Sequence, residues 1–295
     1  FHMAGHMAAK AKKSGVRCFV WNRTADTATR HASECGSIAA EKLEDLRTAS
    51  VVVLCLPTSS EDKLLADQLA PLLAPGSCIV SCTSGEPDAT RKLAASLRND
   101  FALHVVDCPV SGGPAGAKAG TLTCMLGCDD TDAGEKAALV IGAFAAKIVR
   151  TGPSGSGHAV KAVNNALNVT HLLLGAEGLL ALQKFGVDPE VALSAINSSS
   201  GRSLQTMERL PKEVLTRKFE YGFKLPLMAK DVRIAKSIMQ SNFPGAVLLP
   251  TAADLVQKAS MAEGPGADYT RVVCQLEKLA GVELGVHGGS TPDAQ

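Results

Sequence analysis

The sequence has no block of basic residues interleaved with aromatics. Its 30 Lys+Arg and 29 Asp+Glu leave a formal charge of +1, so nucleic acid is not the expected partner. No apolar run is long enough to span a bilayer as a helix; the longest, 172–182, is short and carries Glu177. Nine cysteines form no CxxC pair and lie in apolar runs such as VVVLCLP and SCIVSC, which reads as buried, reduced thiols rather than disulfides or zinc ligands. The seven histidines are scattered, so a metal-dependent alcohol dehydrogenase lacks its ligands and no metal is expected. Aromatics are scarce, at 4%, and alanine is abundant, which suits an enzyme of helices and parallel strands.

What is present alternates. Strand-like runs stand at 16–21, 51–57, 77–82, 104–107, 121–126 and 146–150. Helix-like stretches lie between most of them, at 4–15, 25–36, 60–73 and 87–100. Such alternation predicts a parallel sheet with helices on both faces. After TGPSGSG (151–157), a hinge-like run of Gly, Ser and Pro, strand signals stop. Helices are predicted over 157–185, 189–197, 202–216, 225–240, 247–261 and 268–280, and the tail from 285 is expected to be loose. The expected fold is an α/β Rossmann domain over 1–153 followed by an all-α domain over 154–295.

One helix poses a question. With about 3.6 residues per turn, His158, Lys161, Asn165 and Asn168 share a face of a segment that is otherwise oily. Two readings stand at this point. Either the polar stripe faces water, or it holds a lysine and an amide against a ligand.

At the other end, FHMAGHMAAK reads as a glycine-rich turn entering a helix, where N–H groups and the helix dipole meet a pyrophosphate. The GxGxxG pattern is not present, and residue 1 is Phe. A first strand and first glycine are expected upstream, so the natural protein is expected to extend further, and its N-terminus says nothing of targeting. The next strand ends in WNRT. Asn22, Arg23 and Thr24 stand where an acidic residue would grip a ribose hydroxyl. Arg23 is either a surface residue or a partner for the 2′-phosphate of NADP.

The segment DCPVSGGPAGAKAGTLTCMLG (107–127), with GSGHAVKAVNNAL, closely resembles the β-hydroxyacid dehydrogenase family. This family includes 3-hydroxyisobutyrate dehydrogenases, tartronate semialdehyde reductases and glyoxylate/succinic semialdehyde reductases. HMAGHMA is similar to the family's glycine-rich turn, with Ala4 where a third glycine is usual; LCLPTS, SCTSGEP and FKLPLMAKD match further segments in the family's order. The resemblance implies a Rossmann domain and a helical domain joined by a long helix, with the polar stripe on the wall of the cleft between them. It implies Lys161 as general acid and base and Asn165 as the substrate-holding amide. Ser111, Gly112 and Gly113 become the carboxylate-binding loop, with Phe223 and Asp231 lining or bracing the site. Met3, Asn22, Arg23, Thr24, Leu56, Pro57, Ser84 and Lys230 fall on the cofactor side.

The chemistry fits those roles. A lysine in a poorly solvated cleft can exchange a proton near neutral pH, and its ammonium stabilises a developing alkoxide. Glycines let backbone N–H groups approach a carboxylate. The expected activity is hydride transfer between NADP(H), with NAD(H) as the second choice, and a small β-hydroxyacid or semialdehyde. An aldehyde-acid reductase ranks first and an NAD-dependent 3-hydroxyisobutyrate dehydrogenase second. A homodimer or homotetramer in the cytoplasm or mitochondrion is expected.

Other readings are weaker. Asn164 replaces the histidine of 6-phosphogluconate dehydrogenase, and imine reductases lack the lysine. A non-catalytic, dehydrogenase-like module would not need Lys161, Asn165 and the Ser-Gly-Gly loop intact. His158 and His171 read as packing or solvent residues, Asp268 as a helix cap, and Cys82 and Cys108 as strand cysteines. Arg202 is either a substrate contact or a cap.

Overall fold

The structure is a computed structural model that describes residues 1–285, so the tail expected to be loose lies, but for Gly285, outside the described residues. The chain divides into two compact units, Phe1–Lys161 and Ala162–Gln295. The boundary expected at 153/154 falls in the turn before a long helix, and the division falls inside that helix.

The first unit runs α1 His2–Lys13, β1 Phe19–Val20, α2 Ala25–Cys35, β2 Ile38–Ala39, β3 Val51–Leu54, α3 Ser59–Leu69, β4 Cys78–Ser81 and α4 Pro87–Phe101. It continues through β5 His104–Asp107, β6 Val110–Ser111, α5 Gly113–Ala119, β7 Leu122–Gly127, α6 Thr131–Ile141 and β8 Ala145–Gly152, and ends in the start of α7 Ser156–Phe185. Strands β3, β4 and β5 pair in parallel. Neighbouring residues of one strand feed opposite cores. Ile79 and Val105 pack with Leu69 and Leu97, while Val80 and Val106 pack with Leu126 and Ile141. Strand β4 is buried throughout, as a strand covered on both faces must be.

The sheet departs from the parallel expectation at β7. Strand β7 runs antiparallel to β5 and β6, with Asp107 opposite Gly127 and Val110 opposite Cys124. These pairs share one register, so β5 and β6 are a single run broken at Cys108–Pro109, where proline offers no N–H to the ladder. Strand β8 then pairs in parallel with β7. Strands β1 and β2 form a separate parallel pair. Strands β2 and β6, two residues each, are too short for periodicity to reveal, and α5 is a glycine- and alanine-rich helix with no apolar period. Helix α6 does carry a readable start: Asp130 accepts from Ala133 N at 2.8 Å.

The second unit is helical, as expected: the rest of α7, then α8 Pro189–Asn197, a π-helical segment Gln205–Val214, α9 Leu225–Asn242, α10 Leu248–Glu263, a short 3₁₀ turn Tyr269–Val272 and α11 Val273–Ala280. The π-helical segment contains Pro211, whose missing N–H an ordinary helical ladder would notice. Asp188 starts α8 by accepting from the N–H groups of Glu190 and Val191. The core gathers Leu172 and Leu179 of α7 with Leu210, Leu225, Val256 and Val273. Each such residue contributes roughly 1.5–3 kcal/mol over its exposed state.

Helix α7 is not buried all round. Val160, Leu167, Leu174 and Phe185 are 44%, 43%, 57% and 86% exposed. The otherwise oily helix thus keeps one apolar edge outside the core. Among the described residues no helix is long and apolar enough to cross a membrane.

Two glycines of α7 make a test. A Cβ at Gly157 would lie 2.2 Å from Met125 O, whereas one at Gly178 would meet nothing within 4 Å. Gly157→Ala is expected to destabilise at or beyond the upper end of the ~1–3 kcal/mol typical of overpacking. Gly178→Ala is expected to stabilise by about 0.5–1 kcal/mol through helix propensity. Urea denaturation of both variants checks the opposite signs.

Candidate active site

In the first unit, the polar face of α7 is buried rather than solvated. His158 is 1% and Lys161 9% exposed. The imidazole of His158 shares a 2.7 Å hydrogen bond between Nδ1 and the Thr90 hydroxyl, and it packs so closely on Gly85 that a Cβ there would stand 2.7 Å from the ring. It is a packing histidine; His171 is exposed.

The first turn of α7 is held by Asp107, fully buried at the end of β5. One carboxylate oxygen accepts from Gly155 N at 2.7 Å and the other from His158 N at 2.9 Å. Burial pushes its pKa up to about 6, and the backbone N–H bonds offset only part of that rise. Gly157 and Gly127 leave room for it: a Cβ at either would come within 2.8 Å of a carboxylate oxygen. Asp107 opens the DCPVSGG motif, and nothing in the motif itself points to this role. Its signal was an acidic residue closing an apolar strand.

From Asp107 the chain leads through β6 to Ser111 and the two glycines. Gly112 and Gly113 have φ of 132° and 63°, backbone that favours glycine, and they open α5. The far end of α5 is tied to α1: His6 Nε2 donates to the carbonyls of Ala117 and Lys118 at 3.2 and 3.1 Å.

The loops after β3 and β4 are joined by a second acid that the sequence reading missed. Asp62 of α3, 4% exposed, accepts from the hydroxyls of Ser81 and Thr83, and Thr83 Oγ1 in turn accepts from Leu56 N at 3.0 Å. Leu56 is half-buried and Pro57 exposed; Ser84 is half-buried on the second loop. Such loops, at the carboxyl ends of parallel strands, are where doubly wound sheets bind nucleotides.

Met3 is half-buried on α1, against the core that holds Val80 and Leu122. Asn22, Arg23 and Thr24 are exposed after β1; Asn22 Oδ1 accepts from Thr24 N at 2.9 Å, shaping the turn into α2. Arg23 lies near Glu61. The Thr58 hydroxyl first, and the Arg23 charge in lesser part, hold that carboxyl below its usual range.

In the second unit, Asn165, 7% exposed, donates through Nδ2 to Asp231 Oδ2 at 2.6 Å. Lys230 Nζ stands 3.2 Å from the other oxygen of Asp231, which is 2% exposed. Asn164 Nδ2 donates to Asn165 Oδ1 at 3.2 Å. Asn165, Lys230 and Asp231 thus form one cluster. Phe223 is half-buried, edge-on to Tyr269 at 6.0 Å, and its N–H and that of Gly222 both donate to Asp268. Asp268 also caps the following turn through Thr270 N, so the cap expected there also holds the backbone at Gly222 and Phe223. Arg202 is exposed, and the cap beside it is Ser203, whose Oγ accepts from Thr206 N. Cys82 and Cys108 are buried and unpaired.

Comparison with known proteins gives the same assignment along the chain. Residues 2–152 match the family profile described as the NAD binding domain of 6-phosphogluconate dehydrogenase. Residues 155–276 match that of NAD-binding of NADP-dependent 3-hydroxyisobutyrate dehydrogenase. The chain is 31% identical to an NAD-dependent L-serine dehydrogenase of Pseudomonas aeruginosa, over 82% of this chain and 83% of that one. It is 31% identical to a 2-(hydroxymethyl)glutarate dehydrogenase of Eubacterium barkeri, over 96% and 94%. Its fold is similar to that of a 3-hydroxyisobutyrate dehydrogenase of Mycobacterium tuberculosis solved with L-serine, with a TM-score of 0.83 at 24% identity, covering 93% of this chain and 96% of that one. With matches that span both units in order, the chain belongs to the β-hydroxyacid dehydrogenase family and is an NAD(P)-dependent oxidoreductase.

Proposed function

We propose that the chain interconverts a small β-hydroxyacid and its semialdehyde, with NADP(H) preferred, and that Lys161 moves the proton. The observation that carries this reading is a lysine nine-tenths buried on α7, one helical turn before a buried Asn165 that Asp231 holds in place. Residues 1–153 hold the dinucleotide, and 154–295 serve substrate binding and oligomerisation.

The residues fit a nicotinamide dinucleotide. No acidic side chain stands in the first turn of α1 to oppose a pyrophosphate. Met3, Leu56, Pro57, Ser84 and Lys230 complete the cofactor set, and Asn22, Arg23 and Thr24 face the adenosine ribose. Arg23 supports a 2′-phosphate, because its guanidinium is exposed where a ribose-gripping acid would otherwise stand. When bound, the nicotinamide gives or takes the hydride at carbon.

The remaining steps are the protein's. Ser111, Gly112 and Gly113 hold the substrate carboxylate through the hydroxyl and backbone N–H groups. Phe223 covers the apolar side of a small acid, while Asn165 steadies the reacting oxygen. In reduction, the Lys161 ammonium gives its proton to the carbonyl oxygen; in oxidation, the neutral amine takes it from the hydroxyl. Held away from water, the ammonium acts strongly on the charge that develops there. Asp231 fixes which way the Asn165 amide points by accepting from its nitrogen. A second reading, an NAD-dependent oxidation of a hydroxyacid such as 3-hydroxyisobutyrate or L-serine, draws support from the Pseudomonas relative's cofactor. The exposed edge of α7, from Val160 to Phe185, supports pairing with a second copy into a dimer or tetramer.

The deciding experiment measures NADPH and NADH oxidation with glyoxylate, succinic semialdehyde, tartronate semialdehyde and methylmalonate semialdehyde, and the reverse reaction with 3-hydroxyisobutyrate, L-serine and 2-(hydroxymethyl)glutarate. Lys161→Ala is expected to lower kcat by about 100- to 10,000-fold while cofactor binding persists. Retained turnover in this variant would falsify the role of Lys161. Arg23→Ala is expected to raise KM for NADPH by about 10- to 100-fold and to leave KM for NADH nearly unchanged, the scale of a lost charge-assisted hydrogen bond. Equal effects on both cofactors point to the NAD reading. Asp231→Asn removes the ionic partner of Lys230 and an acceptor for Asn165; kcat/KM is expected to fall about 10-fold or more.

A further inference from the structure

Asp107 is a buried carboxylate that the proposed proton transfer does not use, yet it joins two parts of that site. It ends β5, and four residues later stands Ser111, at the start of the carboxylate-binding loop. Its two oxygens grip Gly155 N and His158 N at 2.7 and 2.9 Å, and His158 precedes Lys161 by less than one turn of α7. The loop and the lysine therefore leave from one anchored point. With about 1.5 Å of rise per residue, Lys161 lies only about 4.5 Å along the axis from that anchor. A shift or tilt there reaches the lysine almost undiminished.

The surroundings allow little slack. On one side Gly157 passes so near that a Cβ would stand 2.2 Å from Met125 O and 2.8 Å from Asp107 Oδ2. On the other, a Cβ at Gly127 would stand 2.7 Å from Asp107 Oδ1. Room exists for a carboxylate that accepts from both sides and for little else.

The geometry points to Asp107 as a positioning residue, whose ionised carboxylate holds the first turn of α7 and so sets Lys161 in register with the Ser111–Gly113 loop. This rests on the reading of Lys161 as the proton carrier. Protonation turns one accepting oxygen into a donor that faces backbone N–H groups, so the clamp loosens in acid. Burial brings that protonation to about pH 6, within reach of an assay. Three other titratable groups are near. The Cys108 thiol is pushed up by its hydrogen bond with the Cys124 thiol and by burial, and the Cys128 thiol by burial, so both stay neutral there. His158 is the third, bound through Nδ1 to Thr90.

The test uses the full chain, as wild type, Asp107→Asn and Lys161→Ala, assayed with 3-hydroxyisobutyrate or methylmalonate semialdehyde and the better cofactor. Asp107→Asn is expected to lose about 10- to 100-fold in kcat, the scale of an ångström of misplacement, with cofactor Kd within about twofold of wild type by nicotinamide fluorescence. The wild-type kcat is expected to rise with pH through an inflection near 6 that Asp107→Asn lacks. A lowered melting temperature with unchanged kcat marks a merely structural residue and overturns the proposal. So does an acid inflection that persists in Asp107→Asn, which then belongs to His158 or another group. Should the variant fail to fold, hydrogen exchange of the wild-type 155–161 segment decides. After correction for intrinsic rates, protection is expected to increase from about pH 5 to about pH 7, and flat protection overturns the proposal. Turnover surviving in Lys161→Ala overturns the reading of Lys161 alone, because the exchange result stands apart from it.

Discussion

The site in the N-terminal unit depends on a carboxylate buried at the start of a thirty-residue helix. A helix N-terminus presents N–H groups with no intrahelical acceptor and the positive end of the dipole. Asp107 satisfies two of those groups from a neighbouring strand. The arrangement has a cost, because desolvating the carboxylate outweighs the hydrogen bonds it gains and leaves its proton affinity raised. An ordinary cap, a serine or aspartate just before the helix, would satisfy similar groups in contact with solvent. What it would not do is fix the helix to the end of β5, from which the Ser111–Gly113 loop departs.

A similar device recurs at the loops after β3 and β4. Asp62 reaches from α3 to Ser81 and Thr83, and Thr83 reaches back to the backbone of Leu56. The buried acid accepts from hydroxyls, and one of these accepts in turn from a backbone N–H, so the loops after β3 and β4 are tied together through α3. His6 serves the same end by satisfying carbonyls at the end of α5. Buried polar groups of this kind are favourable only when their partners are in place, which makes the loops rigid together.

Helix α7 carries three surfaces at once. One is polar yet buried, with His158, Lys161 and Asn165; one packs the helical core through Leu172 and Leu179; one leaves Val160, Leu167, Leu174 and Phe185 exposed. Mean composition hides this, because Val and Leu occur on both apolar surfaces. In the second unit, Asp231 brings Lys230 and Asn165 to a single carboxylate, so residues 65 positions apart in sequence share one network.

Local periodicity and contiguous motifs were enough for the order of the longer strands and helices, the change from alternating to helical organisation near 151–157, and the family, whereas the two-residue strands β2 and β6 and the glycine-rich α5 carry no such signal. Helical spacing put Lys161 and Asn165 on one face with His158 and Asn168, and the family resemblance singled the two out. Packing between distant segments settles that this face is buried, that β7 runs antiparallel beside β5, and that Asp107 and Asp62 hold neighbouring elements. Those outcomes depend on which distant N–H or hydroxyl meets a carboxylate. Burial of a charge is a property of everything packed around it, and no window along the chain contains that information.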